Sequence, residues 1–319
     1  MYIRIRKADT NTDLEGIAAI VNQFDQTPSS PEDVRRLLTY LPSGRITCRL
    51  VAVDDSGCIT GYACAVHEPW NPPGAFYVWV GVDAPSRHQE VGRTLHEKLW
   101  SFLDSQQAGS LYSEVNDDDP PSLRFAESHG FTIERHLFQS SLDLNAFAED
   151  LFTGLVEKLA TEGIRFFTLA DLGDSVEARH RIYELDAVTS EDIPGYIGPF
   201  MDYAEYERRA FNPAVYNPAV RLIAAVGESW VGFASVTLVS ETGNAHNEMT
   251  GVLREYRGRG IALALKLLAI RYAREAGARK ITTSNDSLNA PMLAVNRKLG
   301  YQQQRGVYRL KNEHPVFPV

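Results

Sequence analysis

The sequence lacks any run of about 18 apolar residues, the length that a membrane-crossing helix needs. Its three cysteines, Cys48, Cys58 and Cys64, lie in the first half without CxxC spacing. This odd number and this spacing indicate neither a disulfide framework nor a zinc site, so no metal ligands are expected. Residues 1–6 have no apolar signal core and are typical of a first strand. We therefore expect a cytoplasmic protein that does not interact with membranes.

An excess of positive charge is also absent, since the formal net charge is −9. An acidic chain repels a phosphate backbone, so no nucleic-acid partner is expected. The motif GxxxxGK[ST] does not occur, which argues against a nucleoside triphosphatase. GxGxxG with an acidic residue on the next strand is missing too, which argues against a dinucleotide-binding fold.

The sequence does contain an internal repeat. Its 319 residues suggest about two domains, and the balance of apolar and charged residues is that of a globular protein. Residues 81–92, GVDAPSRHQEVG, resemble residues 251–262, GVLREYRGRGIA. Gly130-Phe131 and Gly300-Tyr301 keep the same offset (300 − 130 = 170). A constant offset over roughly fifty residues indicates two copies of one domain.

The boundary between the copies is expected near residue 145. Residues 148–162 are apolar at Leu151, Leu155 and Leu159, a spacing that predicts an amphipathic helix. Gly163 ends this helix, and residues 164–169 begin the second copy. We therefore place the domains at residues 1–145 and 146–319. No Gly/Ser- or Pro-rich linker lies between them, which predicts close packing.

The order of elements in the second copy predicts an α/β (α+β) fold. Strands are expected at 164–169, 220–226, 231–239, 245–253 and 279–284, with two final strands near 301–311. Helices are expected at 174–187, 201–210, 258–276 and 290–298. Three successive strands should form an antiparallel meander, and the next strand–helix–strand unit should pair in parallel. Each copy should therefore be a mixed, mostly antiparallel sheet with helices on both faces.

A basic, glycine-rich loop precedes the helix at 258–276, which is apolar around most of its circumference until Arg271. Glycines let a ligand approach the backbone, the first helical turn presents free N–H groups, and arginines add charge-assisted contacts. These features suit a diphosphate. The alternative is a solvated basic turn, but the order of strand, loop, buried helix and strand favours the ligand site. The loop is Arg257-Gly258-Arg259-Gly260-Ile261-Ala262.

These residues resemble a known signature. The spacing Val-x-x-x-x-Arg-x-x-Gly-x-Ala, typical of the GNAT superfamily of acetyl-CoA-dependent N-acetyltransferases, is formed by Val252, Arg257, Gly260 and Ala262. Asn289, Gly300 and Tyr301 match part of the family's downstream motif. The resemblance covers nearly the whole second copy and, more faintly, the first. The two-domain layout is similar to that of mycothiol-synthase-like members, without their specific motifs.

The resemblance implies acetyl-CoA as cosubstrate and an amine as acceptor. It implies that the main chain of Val252 and Leu253 pairs with the pantetheine arm as an extra strand. It also implies that Asn289 hydrogen-bonds the pantetheine. The pyrophosphate would be held by the amides of the loop, those of Gly258, Arg259, Gly260, Ile261 and Ala262.

The sequence departs from the family at the position of its tyrosine, a common general acid. Asn296 stands there, and Met292 replaces the family's alanine. Asn has no titratable proton and can only orient the thioester or the sulfur by hydrogen bonding. The general acid that protonates the departing thiolate is therefore unassigned, and water, a Ser or another Tyr are the alternatives. Tyr308, on the last strand, is a candidate substitute.

Many GNAT enzymes use a glutamate on the strand before the loop as general base, and Glu248 lies there. Alternation along a strand predicts His246, Glu248 and Thr250 on one face. The alternative for Glu248 is a solvated residue at the rim of the meander, and His246 is expected at the surface or behind the site. Asn285 is predicted either to line the acyl site or to form a turn.

The first copy has lost several of these features. Glu90 replaces the loop glycine Gly260, and its carboxylate would repel and crowd a pyrophosphate. Asp119 replaces Asn289 (289 − 170 = 119), Ala126 replaces Asn296, and residues 76–79 offer no acid. We predict that the first copy binds acetyl-CoA weakly or not at all. The alternative is that Arg87 and Gly92 keep a site that binds the cofactor without turnover.

Two function classes follow, an acetyl-CoA-dependent N-acetyltransferase that acts through its second domain, and a non-catalytic acyl-CoA-binding or scaffold protein. An acidic segment at 186–218 suits a cationic small-molecule or peptide amine, or is the solvated surface of two helices. Its aromatic residues line a cleft or form core. A monomer or a homodimer is expected. The acidic residues are Asp186, Glu191, Asp192, Asp202, Glu205 and Glu207, and the aromatic ones Tyr196, Phe200, Tyr203, Tyr206, Phe211 and Tyr216.

Overall fold

The computed structural model describes residues 3–24, 29–39, 43–196, 199–212, 216–239, 243–313 and 315. The elements along these ranges are, in chain order, β1 (Arg4–Lys7), α1 (Leu14–Val21), α2 (Pro31–Thr39), β2 (Ile46–Val53), β3 (Ile59–His67), β4 (Ala75–Val82), α3 (Val91–Ser105), β5 (Ser110–Asn116), α4 (Pro120–Ser128), β6 (Thr132–Asp143), α5 (Leu155–Thr161), β7 (Ile164–Thr168), α6 (Val176–Ser190), α7 (Tyr203–Ala210), β8 (Arg221–Val226), β9 (Ser229–Val239), β10 (Asn244–Val252), α8 (Ile261–Glu275), β11 (Lys280–Asp286), α9 (Ala290–Lys298) and β12 (Gln302–Asn312).

The chain forms two compact units, each with a mixed sheet. The first unit comprises Met1–His136 with Val307–Val319, and the second Leu137–Gly306. In the first unit the strands lie in the order β1-β2-β3-β4-β5, and the end of β12 pairs with β5. In the second unit the order is β7-β8-β9-β10-β11, and the end of β6 pairs with β11. All these pairings are antiparallel except β4 with β5 and β10 with β11.

Helices cover both faces of each sheet, as the sequence predicts. In the first unit α3 packs on one face, and α1 with α2 on the other. In the second unit α8 packs on one face, and α6 with α7 on the other. The antiparallel meander β8-β9-β10 and the parallel step from β10 to β11 are both present. The predicted fold class is therefore confirmed.

Three expected elements differ in the structure. The helix predicted at 148–162 is a short 3₁₀ turn at Glu149–Phe152 followed by α5, because Gly154 adopts a φ of +78° between them. Leu151 consequently points to solvent and is 76% exposed. The helix predicted at 258–276 begins at Ile261, after Gly260. The two strands expected near 301–311 are one continuous strand, β12.

The compact units do not coincide with a division of the chain at residue 145, because the first unit also contains Val307–Val319 and the second begins at Leu137. The last six residues of β12 pair with β5 in the first unit, and Leu310 is fully buried in its core. Residues 137–143 of β6 pair with β11 in the second unit, where Leu142 joins the core. The boundary at 145 thus stays a prediction about the sequence repeat.

Candidate functional site

The two parallel strands of the second unit separate before they end. Strands β10 and β11 pair only from Ala245–Ile281 to Asn247–Thr283. Beyond these pairs β10 continues to Val252 and β11 to Asp286. Ligands of open α/β sheets bind where the carboxyl ends of neighbouring parallel strands diverge. The gap beyond Asn247 is therefore the candidate site, and its edge is the second half of β10.

A β-bulge interrupts β10 inside this gap. Asn247 pairs with Val236 of β9 and Met249 with Ser235, so Glu248 is the extra residue. The bulge shifts the alternation, and the prediction that Glu248 and Thr250 share a face is wrong. Thr250 donates to the Asn247 side chain at 3.2 Å, whereas Met249 packs with the cluster under α6 and α7. Bulges re-aim side chains next to active sites, and this one presents Glu248.

The Glu248 carboxylate is 44% exposed and holds two contacts, one on each oxygen. Thr237 Oγ1 donates to its Oε1 at 2.6 Å, and Arg221 Nη1 lies 3.3 Å from its Oε2. Arg221 itself is buried and donates to the Ala210 carbonyl at 2.9 Å, so its position is fixed. The site therefore contains an oriented carboxylate that substrate or water can reach.

His246 lies behind Glu248. Its Nδ1 is 2.8 Å from Thr282 Oγ1 of β11, and burial lowers its pKa below the ordinary value for histidine. A half-buried, neutral imidazole bonded to a neighbouring strand is a support for the sheet. The expectation that His246 lies at the surface or behind the site stays a prediction.

A buried lysine is hydrogen-bonded to the bulge, and the sequence pattern did not reveal it. Lys266, in the middle of α8, is 1% exposed, although the pattern of this helix predicted polar residues only from Arg271 onward. Its Nζ donates to Asn247 Oδ1 at 2.5 Å. The Asn247 amide in turn donates to the main-chain carbonyls of Ser235 and Met249 at 2.9 and 3.1 Å, on both strands of the bulge. Burial lowers the pKa of Lys266 to about 7.

The glycine-rich loop has the geometry expected of an anion site. Gly258 and Gly260 have φ of +77° and +88°, a region that L side chains rarely adopt. A Cβ at Gly258 would meet nothing within 4 Å, so the backbone is open to a ligand there. The N–H groups of the first helical turn, at Ile261, Ala262 and Leu263, have no partner within α8. The helix dipole adds a positive potential at this end.

The loop arginines have structural contacts as well. Arg257 Nε donates to the Val252 carbonyl at 2.9 Å, and its Nη2 pairs with Asp192. Arg254 pairs with the same carboxylate. Arg257 thus closes the turn after β10, while Arg259 is exposed beside the Tyr256 ring. Asp192, which the sequence offered as part of an acidic acceptor surface, instead holds the loop.

The main chain at the end of β10 is largely engaged. The Leu253 N–H donates to the Val231 carbonyl at 2.9 Å, and the Leu253 carbonyl accepts from Tyr256 N–H at 2.9 Å. The Val252 carbonyl accepts from Arg257. The Leu253 N–H and the carbonyls of Val252 and Leu253 thus already have partners, and the pairing with pantetheine that the resemblance implies for these two residues stays a prediction.

Two predicted asparagines bind each other. Asn296, at the family's tyrosine position, is 2% exposed, and its Nδ2 donates to Asn285 Oδ1 at 2.7 Å. Asn285 Nδ2 lies 2.9 Å from Ser140 Oγ of β6. Asn296 Oδ1 is buried and has no hydrogen-bond partner among the described residues. The pair cross-links β11, α9 and β6, and it offers no acidic proton.

Asn289 caps a helix. Its Oδ1 accepts from Met292 N–H at 3.3 Å at the start of α9. Asp119 does the same for α4 in the first unit, accepting from Ser122 N–H at 3.2 Å. A capping carboxylate replaces a capping amide at equivalent positions, so the difference between Asn289 and Asp119 preserves the local structure. The implied bond from Asn289 to pantetheine stays a prediction.

Tyr308 lies in the first unit, opposite Val115 of β5. Its ring packs against that unit's core and lies 4.7 Å from the His136 ring. Its use as a general acid for the second unit stays a prediction, without a described contact that supports it.

The first copy keeps the loop conformation with different residues. His88 and Glu90 have φ of +60° and +67°, at the positions of Gly258 and Gly260. Arg87 Nε donates to the Val82 carbonyl at 3.0 Å, as Arg257 does to Val252. Strands β4 and β5 also share only three pairs before they separate. The bulge of β10 has no counterpart in β4, which pairs with β3 without a register shift.

The acidic and aromatic residues proposed for acceptor binding lie mostly in packed structure. Tyr206 and Phe211 are buried in the core under α6 and α7. Asp186 accepts from Tyr206 Oη at 3.0 Å and from Ser190 Oγ at 2.9 Å, and burial raises its pKa. Asp202 caps α7, and Glu205 pairs with Arg208 and Arg209. These side chains support the packing of α6 and α7.

None of the helices in the described ranges is both long and apolar enough to cross a membrane. Within the same ranges, no three His, Cys, Asp or Glu side chains cluster so that they could hold a metal ion.

Comparison with known proteins gives one family and several structures. The model of the acetyltransferase (GNAT) family matches residues 15–131 and 179–301. A GCN5-related N-acetyltransferase from Sphaerobacter thermophilus is 18% identical, with a TM-score of 0.64 over 99% of this chain and 98% of that one. A tandem GNAT protein from the clavulanic acid biosynthesis pathway is 19% identical, with a TM-score of 0.62 over 99% and 100%. At these identities the likeness shows a shared fold. No curated protein matches the chain in sequence.

Proposed function

Because the chain belongs to the acetyltransferase (GNAT) family, we propose that its second unit transfers the acetyl group of acetyl-CoA to the amine of a small molecule or peptide. One observation carries the assignment to this unit. The gap between β10 and β11 combines an exposed carboxylate in a bulge, Glu248, with an open glycine loop at a helix N-terminus. The first unit has the same gap without the bulge or the glycines.

The residues of the loop fit the cosubstrate. Acetyl-CoA supplies an activated thioester when bound. The backbone at Gly258 and Gly260 is unobstructed, since the nearest heavy atom to a Cβ at Gly260 is Leu155 Cδ1 at 3.9 Å. The first-turn amides of α8 would hold the diphosphate, and Arg259 would add positive charge. The pantetheine arm would lie along the second half of β10.

Glu248 would act as the general base. It accepts a proton from the attacking ammonium, directly or through water, while Thr237 and Arg221 hold its orientation. The neutral nitrogen then forms the new C–N bond and loses its second proton, the C–S bond breaks, and the thiolate takes up a proton. The donor of that proton is unassigned, because Asn296 has none to give. An exposed carboxylate beside the gap also favours a cationic acceptor.

The binding site can be tested by calorimetric titration of acetyl-CoA into the intact protein and into Gly260→Glu, which copies Glu90 into the second unit. We expect one site per chain, and we expect it to be lost in the variant, because a carboxylate would face the diphosphate. Gly277→Glu is the matched control, since Gly277 has a φ of +83° and open surroundings at the other end of α8. Two sites, or one that survives Gly260→Glu, would mean that the first unit binds the cofactor.

The alternative is a non-catalytic acyl-CoA-binding or scaffold protein, which the buried Asn296–Asn285 pair favours because it replaces a possible acid. Glu248→Gln separates the two. For an enzyme we expect turnover with a panel of primary amines, or the slow hydrolysis of acetyl-CoA, to fall about 10²- to 10⁴-fold while the Kd of acetyl-CoA stays unchanged. Glu275→Gln, at the exposed end of α8, is the control. A wild type with no turnover or hydrolysis above the uncatalysed rate would favour the binding protein, whereas equal measurable rates in both variants would show that Glu248 is not the base.

We also propose that the protein works in a reducing compartment such as the cytoplasm, as a monomer or homodimer. The support is that Cys48, Cys58 and Cys64 are all free thiols. No nucleic-acid or membrane partner is proposed, in keeping with the net charge of −9.

A further inference from the structure

The first unit contains a cavity of about 540 Å³ where β4 and β5 separate. It opens between the N-terminal half of α3 and α4, and it reaches the strands at Val80 and Val115. Its volume lies within the range of small-molecule sites, roughly 300–1,000 Å³. Such sites combine apolar walls with a few converging polar groups.

One wall of this cavity is a continuous group of aromatic rings. Phe125 stands at the mouth with 39% of its surface exposed and lies 4.4 Å from the His129 ring. The His129 and His96 rings are 4.0 Å apart, and His96 stacks on Trp100 at 3.8 Å. Trp100 is buried at the inner end. A flat ring is the shape that such a wall contacts best, because aromatic pairs favour offset stacking and edge-to-face contact.

His96 carries an unused polar atom at this wall. The side chain is nine-tenths buried, and its Nε2 has no hydrogen-bond partner among the described residues. Burial lowers the pKa of His96 to about 3, so the imidazole is neutral. His129, in contrast, satisfies its Nδ1 with the Phe125 carbonyl at 2.7 Å. A buried polar atom without a partner costs free energy that a ligand can recover by hydrogen bonding.

The aromatic wall is particular to the first unit. The residue of the second unit at the position of His96 is Lys266 (266 − 96 = 170), whose amine is bound to Asn247. At the positions of the other three rings the second unit has Ile270, Val295 and Leu299. The shared fold therefore does not require aromatic side chains at these positions. The aromatic wall is a feature that the first unit has and the second lacks.

The mouth of the cavity carries a carboxylate where the second unit has a glycine, although Arg87 and Arg93 line the same cavity. Glu90 occupies the N-cap position of α3 with a φ of +67° and without a side-chain capping hydrogen bond, and its carboxylate lies 2.5 Å from Arg93 Nε. The negative charge thus stands at the helix N-terminus where Gly260 leaves the second unit open.

We propose that this cavity is a binding site for a small, planar aromatic molecule with one hydrogen-bonding group, which stacks along the His96–Trp100 wall and bonds to His96 Nε2. The site is separate from acetyl transfer in the second unit, and its test needs no turnover.

The probe is 2-naphthol, whose hydroxyl can either donate to or accept from the imidazole. Calorimetry on the full chain should give one site. His96→Leu keeps an apolar side chain but removes the polar atom, and we expect about 3- to 10-fold weaker binding. Ala126→Leu fills the cavity and should abolish binding. Ala294→Leu, the same exchange on the exposed side of α9, should leave it unchanged. Circular dichroism and thermal melting establish that each variant is folded.

Three outcomes would overturn the proposal. Cyclohexanol, which has the hydroxyl but no flat ring, could bind as well as naphthol, and the site would then not select aromatic molecules. Naphthol binding could be unaffected by both His96→Leu and Ala126→Leu, and the ligand would then lie elsewhere. Acetyl-CoA could displace naphthol equally from the wild type and from Gly260→Glu, and the cavity would then be an acyl-CoA site.

Discussion

At the scale of single residues, Lys266 stands out because an ammonium is rarely buried without a carboxylate. Its only described hydrogen bond goes to Asn247, whose amide joins both strands at the bulge beside Glu248. Lys266 thus contacts the candidate site indirectly. It binds Asn247, and Asn247 holds the two strands of the bulge that carries Glu248.

The lysine should make stability depend on pH. Burial lowers the pKa of Lys266 to about 7, against 10.5 for an exposed lysine. Between these values the unfolded chain holds a proton that the folded protein has lost, so a rise in pH favours folding. We expect the free energy of unfolding to gain up to about 1.4 kcal/mol per pH unit from this group between pH 7 and 9.

The measurement is urea unfolding of the wild type and of Lys266→Met at pH 7 and 9. The variant should be the more stable at pH 7, and its advantage should shrink at pH 9, because the wild-type lysine is then neutral. Lys298→Met, an exposed exchange on α9, is the control. A difference that does not change with pH would show that Lys266 keeps one protonation state.

At the scale of elements, α4 and α9 begin at equivalent positions of the two copies, and different residues cap them. Asp119 and Asn289 both accept from the main-chain N–H three residues on. The sequence comparison counts Asp119 among the lost features, because it replaces Asn289. As a helix cap it is equally suitable, since Asp and Asn are among the best capping residues.

Exchange of Asn289 should therefore separate capping from cofactor binding. We expect Asn289→Ala to lower the free energy of unfolding by about 0.5–2 kcal/mol, and Asn289→Asp to restore most of it. Chemical unfolding measures both, and calorimetry with acetyl-CoA measures any added role. Weaker acetyl-CoA binding in the stable Asn289→Asp variant would support the bond to pantetheine that the resemblance implies.

At the scale of the whole molecule, the chain does not divide where its sequence repeat does. The end of β12 belongs to the first unit and the end of β6 to the second. A fragment of residues 1–145 would leave β5 without the pairs formed by Val307–Asn312 and would lose the buried Leu310. An unpaired strand edge and an exposed core side chain both disfavour a folded fragment.

We therefore expect the fragments 1–145 and 146–319, expressed separately, to melt well below the intact chain or to aggregate. Adding a peptide of residues 302–315 to the first fragment should raise its melting temperature, because the peptide restores the pairing with β5. Thermal melting by circular dichroism measures both effects. A fragment 1–145 as stable as the intact chain would show that β12 contributes little to the first unit.

The repeat, the fold class, the glycine loop and the family could be predicted from the sequence, because they depend on residues close together in the chain or at one constant offset. The glycines at positions 258 and 260 permit the positive φ found there, and the apolar pattern of α8 predicts that this helix is buried. The features that depend on residues far apart in the chain could be seen only in the folded structure. The bulge at Glu248 results from pairing with β9, Asn247 meets Lys266 across the sheet–helix interface, and Tyr308 joins the first unit through β5. Strand alternation cannot reveal such an extra residue, since hydrogen bonding to a neighbouring strand creates it.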